Sequence, residues 1–279
     1  MKGLLKRAST AVIFVLVMLA GLYGGRYSFV ALFALITALC LWEFLDLTLA
    51  GKDANRRQVR KGIGLLLGLL PFLLVSVLKL ELANSPEEYI LITLITFFPL
   101  VFLFFIFELF TISEQPFRNV AFVVLGMVYI GIPFALLDFI AFDESYFYVN
   151  TVFGLLLLTW SNDTAAYLVG SQIGKTPLFP RISPKKTWEG STGGAVITML
   201  IAFGLSQFFT ELSSSQWLIL SIIVIIFGSI GDLVESMLKR SLQIKDSGSM
   251  LPGHGGFLDR FDAFIFLLPF AAAYLLYIR

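Results

Sequence analysis

One stretch near the C-terminus carries the residues best suited to chemistry. It reads Gly231-Asp232-Leu-Val-Glu235-Ser236-Met-Leu-Lys239-Arg240, then Lys245-Asp246, then Pro252-Gly-His254-Gly-Gly-Phe-Leu-Asp259-Arg260-Phe-Asp262. If residues 231–240 are helical, three- and four-residue spacing places four side chains on one face: Asp232, Glu235, Ser236 and Lys239. Asp259 and Asp262 share a face in the same way at the start of the last apolar segment.

Carboxylates on two separate helix ends can meet across a site and hold a hard cation. Mg²⁺ takes few protein carboxylates and completes its shell with water and substrate phosphates. Lys239 and Arg240 would neutralise charge on a transferring phosphoryl group. The alternative is a solvated loop held by salt bridges, which the low charged fraction of 14% disfavours.

His254 is the single histidine of the chain, so a His-rich zinc site is not available. Its flanking glycines indicate a backbone turn close to a ligand. His254 could therefore bind phosphate or protonate a product, and a purely geometric role in the turn is equally open.

A second polar stretch, Arg181-Ile-Ser-Pro-Lys-Lys-Thr-Trp-Glu-Gly-Ser-Thr-Gly-Gly194, suits a polyphosphate. Lys185 and Lys186 bring positive charge, and Ser183 and Thr187 bring hydroxyl donors. Three glycines are expected to let backbone approach a ligand at the start of the seventh apolar helix, whose N-terminus favours anions: Gly190, Gly193 and Gly194. The spacing is not that of a Walker loop. The alternative is a basic loop that only fixes topology.

Asp163 lies beside Asn162 inside an apolar segment. A carboxylate at that depth is costly unless it faces a polar cavity or a partner. Asp163 is therefore a candidate metal-site or phosphate-site residue, with a structural ion pair between helices as the alternative.

These residues must be positioned by membrane-spanning helices. The chain is 58% hydrophobic and 14% charged, against about 45–50% and about 25% in a soluble domain. Nine apolar segments approach the length of a span: 9–24, 28–50, 62–80, 89–112, 119–141, 148–170, 193–210, 216–232 and 261–278. We therefore predict an all-α polytopic membrane protein. It forms one domain over 1–279, with helices in 1–141 followed by a catalytic part in 142–279.

Basic residues orient the spans. With the N-terminus inside, all of the 20 lysines and arginines except Arg26, Lys79 and Arg279 fall on the inner side. An excess of Lys and Arg marks the cytoplasmic side. The prediction is an N-in, C-out topology with both long polar stretches facing the cytoplasm.

The C-terminal stretch resembles the hallmark segment of phosphatidate cytidylyltransferases, also called CDP-diacylglycerol synthases. The resemblance is carried by Ser236-Met-Leu-Lys239-Arg240, Lys245-Asp246-Ser-Gly248 and His254-Gly-Gly-Phe-Leu-Asp259-Arg260-Phe-Asp262, in order and at the family's spacing. Residues 163–167 and 183–190 are similar to upstream motifs of that family. The N-terminal half is similar only in hydropathy, apart from Trp42-Glu43-Phe44.

The resemblance implies transfer of a cytidylyl group from CTP to phosphatidate, giving CDP-diacylglycerol and pyrophosphate. It implies Mg²⁺ on Asp232 and Asp259, with Asp163, Asp246 and Asp262 as possible further ligands, and K⁺ as a second cation. Ser183, Lys185, Lys186, Thr187, Asp163 and Arg260 would contact substrate. A homodimer in the bilayer of a bacterial inner membrane, without a nucleic-acid partner, is also implied.

Other classes remain open from sequence. A polyprenol or dolichol kinase, or an ether-lipid cytidylyltransferase, would share CTP and metal but use another acceptor. A transporter would line a path with intramembrane carboxylates such as Glu43, Glu108, Asp138 and Asp163. A structural scaffold would have no reason to concentrate aspartates and lysines in two loops.

Overall fold

The computed structural model describes residues 2–49, 54–111, 113–143, 146–245, 247–248 and 255–279, with the backbone alone described for 2–9 and 54. Two predicted site residues, Asp246 and His254, lie outside these ranges.

Helices make up most of the described chain. Their bounds are Lys2–Tyr23 (α1), Arg26–Thr48 (α2), Ala54–Lys79 (α3), Pro86–Phe110 (α4), Pro116–Gly126 (α5), Ile132–Ala141 (α6), Val149–Ile173 (α7), Trp188–Phe208 (α8), Ser214–Ile223 (α9), Ser229–Ser241 (α10) and Leu258–Ile278 (α11). Five-residue π-helical turns, Met127–Gly131 and Val224–Gly228, join α5 to α6 and α9 to α10. Two short strands, Pro177–Phe179 (β1) and Ser183–Thr187 (β2), form a hairpin.

Eight helical segments within the described ranges are long and apolar enough to cross a membrane, and two of them run through a π-helical turn. A further apolar helical stretch, Thr10–Tyr23, is shorter. The prediction of an all-α polytopic membrane protein is confirmed. The count of nine spans and the N-in, C-out orientation stay predictions.

Local sequence signals explain several helix ends. Gly25 has a φ of 108° between α1 and α2, a conformation that favours glycine and allows the chain to turn there. Pro86 and Pro116 begin α4 and α5, where a missing N–H costs nothing. Ser213 and Gln216 form a capping box at the start of α9.

One compact unit comprises Met1–Phe139 and Ser247–Leu258. Its buried charges have partners within the unit. Arg60 donates from Nε to Glu108, and Ser76 Oγ donates to Asp138 Oδ2 at 2.6 Å. Charged groups in apolar helices are costly unless paired, so these contacts give Glu108 and Asp138 a structural explanation that needs no transport path.

A close helix approach shapes the same unit. A Cβ on Gly131, in the first π-helical turn, would overlap the backbone carbonyl oxygen of Gly68 on α3. Glycine is therefore needed at 131 for the π-helical turn to pack against α3. Neither π-helical turn was predicted from the sequence.

The other compact unit comprises Ile140–Asp246 and Asp259–Arg279. Helices α7 and α8 pack closely within it. A Cβ on Gly190 would lie 2.7 Å from the Ala166 carbonyl oxygen, and one on Gly194 would lie 2.9 Å from the Ala166 Cβ. Glycine on α8 is what brings the two helices together.

This packing corrects the predicted role of the glycines. Helix α8 begins at Trp188, five residues before the predicted span, so Gly190, Gly193 and Gly194 are helical. Each faces α7: a Cβ on Gly193 would lie 2.5 Å from Val169. They serve helix packing rather than opening backbone to a ligand, because burial against α7 outweighs the low helix propensity of glycine.

The β1–β2 hairpin was not predicted from the sequence. Its strands pair antiparallel, with Pro177 opposite Thr187 and Phe179 opposite Ser183. Three prolines (Pro177, Pro180 and Pro184) argue against strands in the sequence, but an isolated two-stranded hairpin has free edges where proline is tolerated.

Candidate active site

A cavity of about 480 Å³, lined mainly by polar residue types, lies in the unit that holds α7, α8 and α10. Its lining comes from these three helices and from β2. The lining residues are Asn162, Asp163, Ala166, Tyr167, Gly170, Ser171, Lys185, Lys186, Thr187, Ser191, Ser229 and Asp232. Asp163, Lys185, Lys186 and Asp232, from three separate predicted polar stretches, therefore line one cavity.

Lys186 and Asp232 form the closest charged pair at this cavity's lining. Lys186 Nζ lies 2.5 Å from Asp232 Oδ2, and the two side chains are 27% and 29% exposed. Ser236 Oγ donates to the other oxygen of Asp232 at 3.2 Å. Asp232 is thus held from β2 and from its own helix while staying accessible to solvent.

Hydrogen bonds fix the hairpin that carries Lys185 and Lys186. Thr187 Oγ1 accepts from the Gly190 N–H at 3.2 Å and so caps α8. Glu189, in the first turn of α8, accepts from the Lys175 N–H at 3.1 Å and from Thr176 Oγ1 at 2.8 Å. Both ends of the hairpin are therefore tied to one helix start.

A second group of charges surrounds Lys239. Lys239 donates to Glu235 one turn earlier and lies 2.7 Å from Asp259 Oδ1 on α11. The Glu235 side chain is fully buried, and its Oε1 has no hydrogen-bond partner within the described chain. The predicted common face on α10 is confirmed by these i, i+4 contacts.

Asp262 interacts electrostatically with carboxylates of both groups, and Asp163 interacts with the Lys186–Asp232 pair and with Asp262. The charges acting on Asp163 are those of Asp232, Lys186 and Arg260. Those acting on Asp262, which is 8% exposed, come chiefly from Asp232 and Glu235. Carboxylates thus outnumber cations here: Asp163, Asp232, Glu235, Asp259 and Asp262 against Lys185, Lys186, Lys239 and Arg260.

Within the described ranges no three His, Cys, Asp or Glu side chains converge with the geometry of a metal site. Asp232 and Asp259 each face a lysine instead. The assignment of Mg²⁺ to Asp232 and Asp259 stays a prediction. By chemistry alone these residues would suit a hard divalent cation, because carboxylates are in excess and a buried oxygen of Glu235 lacks a donor.

The remaining predicted residues lie in different places. Ser183 is on β2 opposite Phe179 and is not among the cavity-lining residues. Arg240 is exposed and donates to the Ile244 carbonyl oxygen at 3.1 Å. Asp246 and His254 fall outside the described residues, so their roles stay predictions.

Three polar residues at these sites had no assigned role in the sequence analysis. Glu235 is the buried partner of Lys239. Ser229 and Asn162 line the cavity. The spacing offered a signal for each, since Ser229 precedes Asp232 by three residues on one helix, and Asn162, Ala166 and Gly170 recur every four residues along α7.

The fold and the site together define a class of protein. It is a helical membrane protein in which lysine and carboxylate side chains line one cavity. The chain belongs to the cytidylyltransferase family, whose model matches residues 5–278. The resemblance noted in the sequence is thereby confirmed.

Several bacterial relatives are similar over nearly their whole length. Phosphatidate cytidylyltransferase of Bacillus subtilis (strain 168) is 35% identical over 267 residues, covering 95% of each chain. The protein of the same name from Staphylococcus haemolyticus (strain JCSC1435) is 33% identical over 272 residues, covering 94% of this chain and 95% of the relative. That of Staphylococcus aureus (strain COL) is 31% identical over 265 residues, with the same coverage.

Proposed function

We propose that this chain transfers the cytidylyl group of CTP to phosphatidate, giving CDP-diacylglycerol and pyrophosphate for phospholipid synthesis. The observation that carries the proposal is near-complete alignment with relatives named for this activity. The cavity lined by Lys185, Lys186, Asp163 and Asp232 suits the chemistry. No observation of the structure favours a second function.

The reaction needs no activated serine or cysteine. Phosphatidate is a phosphate monoester, and one of its oxygens attacks the α-phosphorus of CTP in line. The new bond is oxygen to α-phosphorus, and the bond to the α,β-bridging oxygen breaks with its electron pair leaving on pyrophosphate. Catalysis then consists mainly of positioning two polyanions and neutralising their charge.

Lysines of the hairpin would bind phosphates of CTP. Lys185 is exposed on the lining and forms no ion pair within the described chain. Lys186 is held by Asp232 and would exchange part of that contact for phosphate oxygens. Thr187, which caps α8, and Ser183 would add hydroxyl donors, and Asp163 would orient the lysines.

Lys239, Arg240 and Arg260 would neutralise charge on the pyrophosphate and on the lipid phosphate. Lys239 is held between Glu235 and Asp259, so its ammonium group needs no reorganisation when negative charge develops nearby. Asp246 would support the same region, and His254 would bind phosphate or protonate pyrophosphate.

Mg²⁺ would be held by Asp232 and Asp259, with Asp163, Asp246 and Asp262 as further candidates. When bound, it would supply Lewis-acid stabilisation of phosphate charge. Glu235, through its unpartnered oxygen, would orient water or a neighbouring ligand. K⁺ is proposed as a second cation.

The protein is an integral membrane protein, because its apolar helices are long enough to span a bilayer. We place it in a bacterial inner membrane with the cavity facing the cytoplasm, where CTP is made. The lipid tails would stay in the bilayer while the head group enters at the interface. A homodimer is the proposed assembly.

Purified protein in detergent, supplied with CTP, phosphatidate and Mg²⁺, tests the proposal. We expect equimolar CDP-diacylglycerol and pyrophosphate that depend on both Mg²⁺ and Asp259. CTP consumption only with a polyprenol or an ether-linked acceptor would overturn the phosphatidate assignment. Folded protein that consumes no CTP with any lipid would overturn the enzyme class.

A further inference from the structure

A buried carboxylate on α2 contacts the segment 247–258, which lies in the same compact unit. Glu43 is 3% exposed. Its Oε2 accepts the Leu258 N–H at 2.9 Å and the Ser247 hydroxyl at 3.3 Å. No lysine or arginine of the described chain forms an ion pair with Glu43, and its Oε1 has no hydrogen-bond partner there. The two bonds to Oε2 are therefore what tie this buried carboxyl group to Ser247 and Leu258.

Gly248 and Gly256 both lie close against this carboxyl group. A Cβ on Gly248 would overlap Glu43 Oε1, and a Cβ on Gly256 would overlap Glu43 Oε2 and Ser247 Oγ. Any larger side chain at either position would push the segment away from Glu43. The contact therefore depends both on Glu43 and on the two glycines that face it.

The contact fixes the start of a helix. Leu258 is the first residue of α11, and the first N–H groups of a helix have no partner inside it. Glu43 accepts one of them, and a negative charge at a helix N-terminus is stabilising. The next residue along the chain is Asp259, in the first turn of α11.

We propose that Glu43 is a positioning residue for cytidylyl transfer, acting through the segment 247–258. By accepting the Leu258 N–H it fixes the first turn of α11, to which Asp259 belongs, without touching substrate itself. The proposal rests on the proposed function, since Asp259 matters through that reaction.

If Glu43 had only a structural role, its loss would lower stability and leave turnover per folded protein unchanged. Glu108 supplies the matched control, because it is equally buried in the same unit and its partners are Arg60 and Asn119 on α3 and α5. Losing either carboxylate is expected to lower the melting temperature. Only the loss of Glu43 should reach the segment 247–258.

Glu43→Gln and Glu108→Gln would be compared with the unmodified protein in detergent. We expect Glu43→Gln to lower kcat per folded protein about tenfold or more, because small displacements of reacting groups are costly. Its KM for CTP should change less than about threefold, since the CTP cavity is lined from other elements. Amide hydrogen exchange of a peptide covering 247–258 should be faster, and in Glu108→Gln both kcat and this exchange should stay unchanged.

Gly248→Ala keeps Glu43 but places a methyl group against its Oε1, so it disturbs the same contact. This second variant tests the proposal if Glu43→Gln fails to fold. It should show the same loss of kcat and the same faster exchange. Unchanged exchange of 247–258 in the folded variants would overturn the contact, whatever lipid product the enzyme makes. Faster exchange with unchanged kcat, in protein that makes CDP-diacylglycerol, would overturn the positioning role.

Discussion

Asp232 and Asp259 each form an ion pair with a lysine. Lys186 lies 2.5 Å from Asp232, and Lys239 lies 2.7 Å from Asp259. In such a pair the ammonium group compensates the negative charge of a partly buried carboxylate. They also place ammonium groups beside the positions where two phosphate-bearing substrates would meet, so the same lysines can bind substrate when it arrives.

Asp259→Asn tests the carboxylate at the start of α11. We expect turnover to fall about 100-fold or more while folding is retained, because loss of a charge that organises the reacting groups costs rate rather than stability. Steady-state CDP-diacylglycerol synthesis and a melting curve measure the two effects. Glu87 is an exposed carboxylate in the first turn of α4, and Glu87→Gln is the control that should leave turnover unchanged. Near-normal turnover of Asp259→Asn would make the metal assignment wrong.

Lys185→Gln tests phosphate binding by the hairpin. An exposed lysine at the cavity should contribute to CTP affinity, so we expect KM for CTP to rise about tenfold with a smaller change in kcat. Lys175→Gln is the matched control, because Lys175 is exposed at the other end of the hairpin and does not line the cavity. Equal effects of the two substitutions would point to general surface charge instead.

Helices α7, α8 and α10 line the cavity together with β2, and the contact between α7 and α8 depends on glycine. The sequence predicted both helices and the common face of Asp232, Glu235 and Lys239, because these features follow from hydropathy and from a fixed helical period. It did not predict the hairpin or the π-helical turns. Those depend on tertiary contacts such as Glu189 with Thr176 and Gly131 with Gly68, which no local pattern encodes.

Gly190→Ala tests this helix contact. The added methyl group would meet the Ala166 carbonyl oxygen at 2.7 Å and the Gly170 Cα at 3.0 Å, so we expect a loss of about 1–3 kcal/mol in stability. Gly204→Ala lies on the same helix with nothing within 4 Å of the new Cβ. It should be neutral or slightly stabilising, since alanine is the better helix former. The melting temperatures of the two variants are compared by thermal unfolding. Equal values would contradict the close packing of α8 against α7 at Gly190.

At the scale of the whole molecule, hydropathy predicted a polytopic helical membrane protein, and the structure agrees. The orientation rests on the distribution of lysine and arginine alone. Two exposed sites separate the possible topologies: Asn84 lies in a predicted outer loop and Lys175 in a predicted inner one.

Cysteine labelling tests this topology. The single native cysteine, Cys40, is buried, so the unmodified protein should stay unlabelled. Asn84→Cys should react with a membrane-impermeant maleimide in intact spheroplasts, and Lys175→Cys only after permeabilisation. The reverse pattern would invert the orientation and remove the cavity from the cytoplasm.

The central claim is that the α-phosphate of CTP moves to the lipid. Purified protein would be given phosphatidate, Mg²⁺ and CTP labelled with ³²P at either the α- or the γ-position, and label in the lipid fraction would be measured. Cytidylyl transfer predicts lipid label from α-³²P CTP and none from γ-³²P CTP, which should appear in pyrophosphate. Lipid label from the γ-position would mean a CTP-dependent kinase and contradict the account.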